Sequence, residues 1–420
     1  MSKIDRQLLA AQRGWSQEKL EKAHVAVVGS TNLAQLLVTD FLAMEFGTVT
    51  WCGRPSIPTI TFDSFNPQAQ HFVTGNIFGH ATAFDEYVGK PDFLIDAVND
   101  PEEKMQIMAY SIHAQVPLLS CSASKTGIYY KFVNANDSAR DILQTQERIW
   151  ANSNDGTSNS VIAAGLISDN IRKRISPLTN EKPHEIQDRY QLNSKERNAG
   201  YEERKPRILQ IGAGGTGNFA ALTLSMQGLS ADIMDNDVVE ESNLSRQVLF
   251  SDADVANRAN KAKALASRLG SSWRFIDYKF GSDFSTKEKY DVVLCCVDNN
   301  LARYHINKYC MAQNIPLINC GTGLNHGVVM PVVRGETACL DCQVLGELGK
   351  AYAQGSSAGQ RNGGGCHEAA IVTPNQIVGA LLADRVRKVV FDNNLSAFTY
   401  RTTDGIIKYS PFEICRPVCR

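Results

Sequence analysis

The chain has 420 residues, which exceeds the length of one average domain and predicts two. Its formal net charge is −1 and 43% of its residues are apolar, so it is not expected to bind nucleic acid or membrane surfaces in general. The first residues, MSKIDRQLLAAQRGW, lack a secretory apolar core, and no apolar run approaches the ~18 residues of a membrane span. We therefore expect a soluble cytoplasmic protein.

The same order of elements occurs twice along the chain. Apolar runs that end in Gly29 and Gly212 are each followed by an amphipathic helix and a second strand. Further strands over 92–100 and 290–299 each end in Asn and Asp, and a late helix recurs over 160–175 and 376–390. Strands that alternate with helices predict a mostly parallel sheet covered on both faces. The repetition predicts an α/β chain of two tandem Rossmann-like domains produced by internal duplication.

The polar stretch 177–206 is rich in charge and poor in apolar periodicity, which is typical of a linker with a peripheral helix. The Gly/Ser-rich segment 355–365 predicts a mobile loop. The expected domains are a degenerate repeat over 1–180, a linker over 181–205 and a nucleotide-binding domain over 206–420.

The second repeat begins with a glycine-rich turn, ILQIGAGGTG, between a strand and a helix. Glycines at this place let backbone N–H groups approach a phosphate, and the helix N-terminus favours its negative charge. The turn alone is a weak signal because nucleotide dehydrogenases use it too. Its candidate phosphate-binding residues are Gly212, Gly214, Gly215 and Gly217.

Several polar residues that follow this turn suit a triphosphate better than a dinucleotide. Asp235 ends the second strand, where a carboxylate can bind a ribose hydroxyl, and Asp298 ends a later strand, where a carboxylate can hold Mg²⁺. Cations and a metal site suit nucleophilic attack on a phosphate and are not needed for hydride transfer. The remaining candidates stand between these two carboxylates: Asn243, Arg246, Gln247 and Lys261.

These motifs, GAGGTG, DND, SNLSRQ, a lysine and CCVDNNLAR, resemble in order those of the ThiF/MoeB/ubiquitin-activating superfamily. The resemblance covers nearly all of 206–420 and implies ATP-dependent adenylation of the C-terminal glycine of a ubiquitin-like protein. It implies that Asp235 holds the ribose, that Asp298 binds magnesium, and that the phosphates contact Asn243, Arg246 and Lys261. Asn299 is a further candidate cofactor-binding residue. The approach to the lysine, DVANRANK, departs from the family pattern, which leaves Lys263 as an alternative to Lys261.

The cysteines fall into three classes. Two close pairs predict a structural Cys₄ zinc site, which the resemblance also implies: Cys339 with Cys342, and Cys415 with Cys419. Six others lie in apolar runs and are predicted to be small buried hydrophobic residues: Cys52, Cys121, Cys295, Cys296, Cys310 and Cys320.

Cys366 stands apart from both classes. It follows the glycine-rich loop at the predicted start of the late helix, where the helix N-terminus lowers the pKa of a thiol and the glycines give access. Thioester-forming relatives carry a cysteine at this place, so the resemblance implies that Cys366 accepts the acyl group. The alternative is a cysteine without chemistry.

The first repeat lacks the candidate nucleotide-binding residues of the second. It has Ser30-Thr31-Asn32 where the glycines belong and Cys52-Gly53-Arg54 where the ribose carboxylate belongs. Asp5-Arg6-Gln7 resembles the family start from which an arginine reaches the partner's ATP. The resemblance therefore implies a pseudo-dimer within one chain, in which Arg6 completes the single ATP site. A surface cation is the alternative for Arg6.

The resemblance implies ATP, Mg²⁺ and Zn²⁺ as cofactors, and a small ubiquitin-like or sulfur-carrier protein ending in glycine as partner. A conjugating enzyme is a further candidate partner, and a homodimer is compatible with the pattern. Three rivals stay open: sulfur-carrier activation for sulfur transfer, adenylation of a ribosomally made precursor peptide, and a non-catalytic nucleotide-binding scaffold.

Overall fold

The computed structural model describes residues 5–74, 78, 83–125, 127–133, 157–183, 186–190, 205–354 and 369–411. The chain divides into two units, one of Gln7–Glu196 and one of Arg197–Arg420 together with Met1–Arg6. Within the described ranges, no helix combines the length and the apolar character that a membrane crossing requires.

The first unit is built on a seven-stranded sheet with the order β3-β2-β1-β4-β5-β6-β7. The strands from β3 to β5 in that order are parallel, whereas β6 and β7 are antiparallel to their neighbours. The strands are β1 (His24–Val28), β2 (Thr48–Cys52), β3 (Gln70–Val73), β4 (Phe93–Asp96), β5 (Leu118–Ser124), β6 (Gly127–Val133) and β7 (Ile186–Tyr190).

Helices precede the first sheet and connect its parallel strands. The longest of them, α6, ends the repeat and is buried over most of its length. The helices are α1 (Asp5–Leu8), α2 (Gln17–Glu21), α3 (Asn32–Ala43), α4 (Ala83–Tyr87), α5 (Pro101–Ala114) and α6 (Thr157–Ile175), with 3₁₀ turns at Ala11–Arg13 and Pro67–Ala69.

The second unit repeats this plan in an eight-stranded sheet with the order β10-β9-β8-β11-β12-β13-β14-β15. Strands β8 to β12 are parallel, and the last three are antiparallel. The strands are β8 (Ile208–Ile211), β9 (Ala231–Met234), β10 (Arg274–Ile276), β11 (Val292–Cys295), β12 (Leu317–Thr322), β13 (His326–Val332), β14 (Ala397–Arg401) and β15 (Gly405–Tyr409).

The helices of the second unit cover this sheet. They are α7 (Gly215–Met226), α8 (Asp252–Ala256), α9 (Lys261–Leu269), α10 (Asn300–Gln313), α11 (Leu340–Gln343), α12 (Glu347–Ala353) and α13 (Val372–Asp392), with a 3₁₀ turn at Glu241–Asn243. Helix α13 packs closely on α7 because position 379 is glycine. A Cβ there would lie 2.6 Å from the carbonyl oxygen of Thr216.

The two sheets confirm the predicted tandem Rossmann-like architecture. In each unit the first strand lies between the second and the fourth, so its two neighbours lead to helices on opposite faces. Even an internal ion pair recurs in the late helices. Lys173 contacts Asp169 at 2.7 Å in α6, and Lys388 contacts Asp384 at 2.8 Å in α13.

The structure adds several strands that the sequence analysis did not predict, namely β3, β7, β10, β14 and β15. Strand β7 lies within the stretch 177–206, which was predicted to be linker and peripheral helix, and it pairs with β6. The reason is that β6 would otherwise be an uncovered edge, and an antiparallel partner satisfies its backbone groups. The first sheet therefore continues into the predicted linker.

Candidate nucleotide site

The turn after β8 is fixed by Gly212. Its φ is +104°, a left-handed value that favours glycine, and its N–H donates to the carbonyl oxygen of Met234 at 2.8 Å. A Cβ at this position would lie 2.5 Å from the carbonyl oxygen of Cys296, which follows β11. Gly212 thus lets the chain turn sharply where the three central strands end.

The N-terminus of α7 is open. Gly214 is the cap residue, and among the described residues no side chain caps the helix and no atom beyond the neighbouring residues of the chain lies within 4 Å of where a Cβ on Gly214 would be. The first N–H groups of a helix have no partner within the helix, and its dipole is positive at this end. The space in front of Gly214 and Gly215 is therefore suited to a phosphate.

Asp235 links this turn to β9. Its Oδ2 accepts a hydrogen bond of 2.7 Å from the N–H of Ala213, and its Oδ1 accepts one of 2.9 Å from the N–H of Asp237. Burial raises the pKa of Asp235, against the lowering effect of these two N–H groups and of Lys261. Each carboxylate oxygen keeps further acceptor capacity, as a ribose hydroxyl requires.

The structure distinguishes the two candidate lysines. Lys261 begins α9, is 8% exposed, and lies with its Nζ 3.3 Å from Oδ2 of Asp237. Lys263 is exposed, and its Nζ lies 5.9 Å from the centroid of the Phe275 ring. Only Lys261 is therefore held beside the loop that follows Asp235.

Asn243 and Arg246 lie in a compact segment after that loop. Oδ1 of Asn243 accepts a 3.0 Å hydrogen bond from the N–H of Glu240, which closes a capping box around the 3₁₀ turn. Arg246 is half-buried, and its Nη1 donates to the carbonyl oxygen of Ser242 at 2.5 Å. Local hydrogen bonds thus hold both side chains in place.

Gln247 is 2% exposed, and its Oε1 has no hydrogen-bond partner among the residues that the structure describes. The segment is tied to α7, because the N–H of Leu249 donates to Oδ1 of Asn218 at 2.9 Å. A buried amide oxygen without a partner is costly unless a ligand or water satisfies it. The Oε1 atom of Gln247 is therefore suited to accept a hydrogen bond from a ligand.

Asp298 follows β11 and is exposed. The chain before it is tied to the glycine turn, since the N–H of Cys296 donates to the carbonyl oxygen of Ile211 at 2.8 Å. Asn299, in contrast, has a local role. It is the cap residue of α10, and its Oδ1 accepts from the N–H of Ala302 at 2.8 Å.

Sequence analysis missed Arg303 in α10. Its Nη1 donates to the Asn319 side chain and to the carbonyl oxygen of Cys320, and its Nη2 donates to the carbonyl oxygen of Val297. It thereby joins the ends of β11 and β12 directly before Asp298. The first repeat also carries a cation at this place, because Lys104 is the fourth residue of α5 as Arg303 is of α10. Lys104 contacts Asp96 at 2.8 Å and the carbonyl oxygen of Cys121 at 3.1 Å.

The first unit has the same turn in a closed form. Gly29 has φ +140°, but Thr31 stands where the second unit has Gly214, and its side chain caps α3 by accepting from the N–H of Ala34 at 3.1 Å. The pairing of β1 with β2 places Gly53 at the position of Asp235. The pairing of β1 with β4 places Asn99 at that of Asp298. The first helix terminus is thus satisfied by its own side chain and lacks both carboxylates.

The predicted zinc ligands are described only in part. Cys339 caps α11 and Cys342 lies within it, and both are buried. In the described part of the chain, no group of three or more His, Cys, Asp or Glu residues is arranged to hold a metal. Cys415 and Cys419 lie outside the described residues.

Two other predicted site residues have no described side chain. Cys366 and the glycine-rich loop before it lie outside the described residues, and Arg6 lies in α1 without a described side chain. The six cysteines of the apolar runs are described: five are buried as predicted and Cys296 is half-buried. Burial raises the pKa of the Cys52 thiol to about 12, as expected of a thiol that acts as a small apolar residue.

Sequence comparison finds relatives among activating enzymes. SUMO-activating enzyme subunit uba-2 of Caenorhabditis elegans is 34% identical over 145 residues, which are 32% of this chain and 25% of that protein. Adenylyltransferase and sulfurtransferase UBA4 of Debaryomyces hansenii is 30% identical over 197 residues, which are 45% of this chain and 42% of that protein. The chain thus spans less than half the length of these curated relatives.

Among solved structures, E. coli MccB with AMPCPP and MccA is similar at 26% identity and a TM-score of 0.43, covering 52% of this chain and 66% of that one. The model of the ThiF family matches residues 197–416. This range contains the glycine turn, both carboxylates and Lys261, and it makes up more than half of the chain. The chain therefore belongs to the ThiF family.

Proposed function

We propose that this protein uses ATP to adenylate the C-terminal glycine of a ubiquitin-like protein and then forms a thioester on Cys366. One observation carries the first step: the open N-terminus of α7, the carboxylate of Asp235 and the side chain of Asp298 all follow the carboxyl ends of neighbouring parallel strands. Ligands of open α/β sheets bind at this edge, where the strand order reverses.

In this proposal Asp235 accepts hydrogen bonds from the ribose hydroxyls, and the N–H groups of Gly214 and Gly215 donate hydrogen bonds to a phosphate. Lys261 and Arg246 balance the negative charge of the triphosphate. Asp298 offers exposed carboxylate oxygens, which are the donors that magnesium prefers. When bound there, magnesium supplies charge neutralisation on the phosphate oxygens.

The proposed chemistry has two steps. First, a carboxylate oxygen of the terminal glycine attacks the α-phosphorus, the bond to the bridging oxygen breaks, and pyrophosphate leaves. Second, the thiolate of Cys366 attacks the carbonyl carbon of the acyl-adenylate, and AMP leaves with the bonding electron pair. Positioning and charge stabilisation supply most of the acceleration of the first step.

The first unit has a supporting role in this account. Its closed helix terminus and missing carboxylates support a single ATP site per chain, in the second unit. We infer that the N-terminus contributes Arg6 to this site. An Arg6→Ala variant should then lower the rate of adenylation, since an arginine can stabilise charge on a transferring phosphate.

We also infer a structural zinc site formed by Cys339, Cys342, Cys415 and Cys419. Two thiols spaced as C-L-D-C, one of them at a helix cap, supply half of a tetrahedral sulfur site. Elemental analysis of the purified chain should find one zinc, and a Cys339→Ser/Cys342→Ser variant should lose it. A metal-free wild-type chain that folds normally would overturn this assignment.

ATP–pyrophosphate exchange tests the first step. A ubiquitin-like protein that ends in glycine should support exchange, and the same protein without its terminal glycine should not. Cys366→Ala should preserve exchange but abolish a conjugate that a thiol reductant releases. Absence of exchange with every glycine-ended partner tested would contradict adenylation of this substrate class.

Activation of a sulfur-carrier protein is the second candidate, and it is favoured by the similarity to a relative named adenylyltransferase and sulfurtransferase. Sulfide-dependent formation of a thiocarboxylate on the partner would support it. Adenylation of a precursor peptide would instead be indicated if Cys366→Ala retained the complete activity on such a peptide.

A further inference from the structure

Asn375, in the first turns of α13, joins three elements of the second unit. Its Oδ1 accepts hydrogen bonds from the hydroxyl groups of Thr216, at 3.1 Å, and Thr322, at 3.2 Å. Its Nδ2 donates to the carbonyl oxygen of Ile371 at 2.8 Å. The residue is 8% exposed, so these bonds form largely out of contact with water. They connect the start of α7, the carboxyl end of β12 and the start of α13.

The side-chain amide of Asn375 also lies against the glycine turn. A Cβ on Gly215 would be 2.7 Å from Oδ1 of Asn375 and 2.8 Å from its Cγ, so only glycine leaves room for the amide. Gly215 and Thr216 are the first two residues of α7, directly after the cap Gly214. Asn375 therefore contacts the first two residues of α7, directly beside the open space in front of Gly214.

The first unit provides an internal comparison. Strand pairing and the recurring ion pairs align Thr216, Thr322 and Asn375 with Leu33, Ala123 and Ser160. Ser160 is buried, and its Oγ has no hydrogen-bond partner within the described ranges. The same fold therefore forms without the polar triad, and the triad accompanies the open helix terminus.

We propose that Asn375 is a positioning residue for adenylation, which fixes the first turn of α7 against β12 so that its N–H groups are oriented toward the phosphates of ATP. This inference rests on the proposed function. The physical reason is that N–H donors contribute most when they need not reorganise on binding. A turn with two adjacent glycines has little rigidity of its own, and the amide of Asn375 supplies it.

Two variants separate positioning from simple stability. Asn375→Leu keeps the size of the side chain but removes the amide oxygen that accepts from the buried Thr216 hydroxyl and the half-buried Thr322 hydroxyl, so both the melting temperature and ATP affinity should fall. The triple variant Asn375→Leu/Thr216→Val/Thr322→Val removes all three polar groups. It should recover melting temperature, because replacing all partners by apolar groups is nearly neutral.

The prediction is that the triple variant recovers stability but still binds ATP about tenfold more weakly than the wild type, the loss of one well-oriented hydrogen bond to a charged group. Calorimetric titration with Mg-ATP and the KM for ATP in pyrophosphate exchange measure this. The control is Ser160→Ala, which should leave ATP affinity unchanged.

Recovery of ATP affinity together with melting temperature in the triple variant would overturn the positioning role. So would unchanged ATP affinity in Asn375→Leu while the wild type binds ATP. A wild-type chain that binds no ATP would overturn the proposed function as well, so the two failures are distinguishable.

Discussion

The N–H of Ala213 donates a hydrogen bond of 2.7 Å to Oδ2 of Asp235, which joins the glycine turn after β8 to the carboxylate after β9. Asp235→Asn should therefore raise the KM for ATP by about 10-fold to 100-fold, because a hydrogen bond to a charged group contributes about 1.5–3 kcal/mol. Steady-state pyrophosphate exchange measures this. Glu336→Gln, an exposed carboxyl in the turn after β13, is the control and should change nothing.

Burial raises the pKa of Asp235, so its protonation begins at a higher pH than that of an ordinary carboxyl. A protonated carboxyl is the weaker acceptor, and ATP affinity should fall as pH decreases through this raised pKa. Titrations with ATP at several acidic pH values should show this loss in the wild type and not in Asp235→Asn. Parallel pH profiles in the two proteins would contradict the assignment of Asp235 to the ribose.

Gly214 and Thr31 occupy equivalent positions in the two units. Replacing Gly214 by threonine should therefore raise the stability of the chain and lower its affinity for ATP. Gly214→Thr should stabilise the chain by about a few tenths of a kcal/mol through a new helix cap, because the backbone at φ −71° is extended and the surrounding space is open. The same hydroxyl would fill the phosphate position and raise the KM for ATP at least about tenfold. Thr31→Gly is the matched change in the first unit and should leave the KM unaltered.

Substitutions of the two lysines at the start of α9 should have different effects on the rate of exchange. Lys261→Met should lower the rate of exchange by about 100-fold, the usual cost of removing one group that stabilises developing charge. Lys263→Met should leave the rate unchanged, because its side chain is exposed beside Phe275. Equal rates in the two variants would mean that Lys261 does not contact the phosphates.

The buried ion pairs of α6 predict acid sensitivity in the first unit. Burial alone would raise the pKa of Asp169, but the charges of Arg172 and Lys173 outweigh it and lower the pKa to about 2. A lowered pKa means that the stabilisation is present above the unfolded value of about 3.9 and is lost as pH falls through the folded value.

Asp169→Asn should therefore destabilise the chain at neutral pH by about 3–5 kcal/mol, since it leaves two buried cations without this partner. Denaturant unfolding should show this difference narrowing below pH 3.9. Glu18→Gln is the control, because its pair with Lys22 is exposed and contributes little. A small effect of Asp169→Asn at neutral pH would contradict the role of this pair.

The local features of the fold were predictable from the sequence. Alternating apolar strands and helices predicted both sheets, and the motifs placed the glycine turn after β8 and Asp235 after β9, because these patterns depend on neighbouring residues. The closed turn of the first unit was also readable in principle, since Thr31 before a helix is a typical cap. Its place as the counterpart of Gly214 emerges only from the strand pairing.

Contacts between distant parts of the chain were not predictable. Thr216 and Asn375 are separated by 159 residues, and no periodicity in one sequence connects them. Arg303 was overlooked for the same reason, because one of its acceptors follows β11 and the others lie in β12. Strand β7 has little apolar alternation, and only its pairing with β6 makes it a strand.

The most direct test of the account is the number of ATP molecules that one chain binds. Equilibrium titration of the full chain with Mg-ATP should give one nucleotide per wild-type chain and no measurable binding for a Gly214→Thr/Asp235→Ala variant, because the only open helix terminus assigned to ATP is then closed. Two nucleotides per wild-type chain, or one retained by the variant, would contradict the assignment of the site to the second unit.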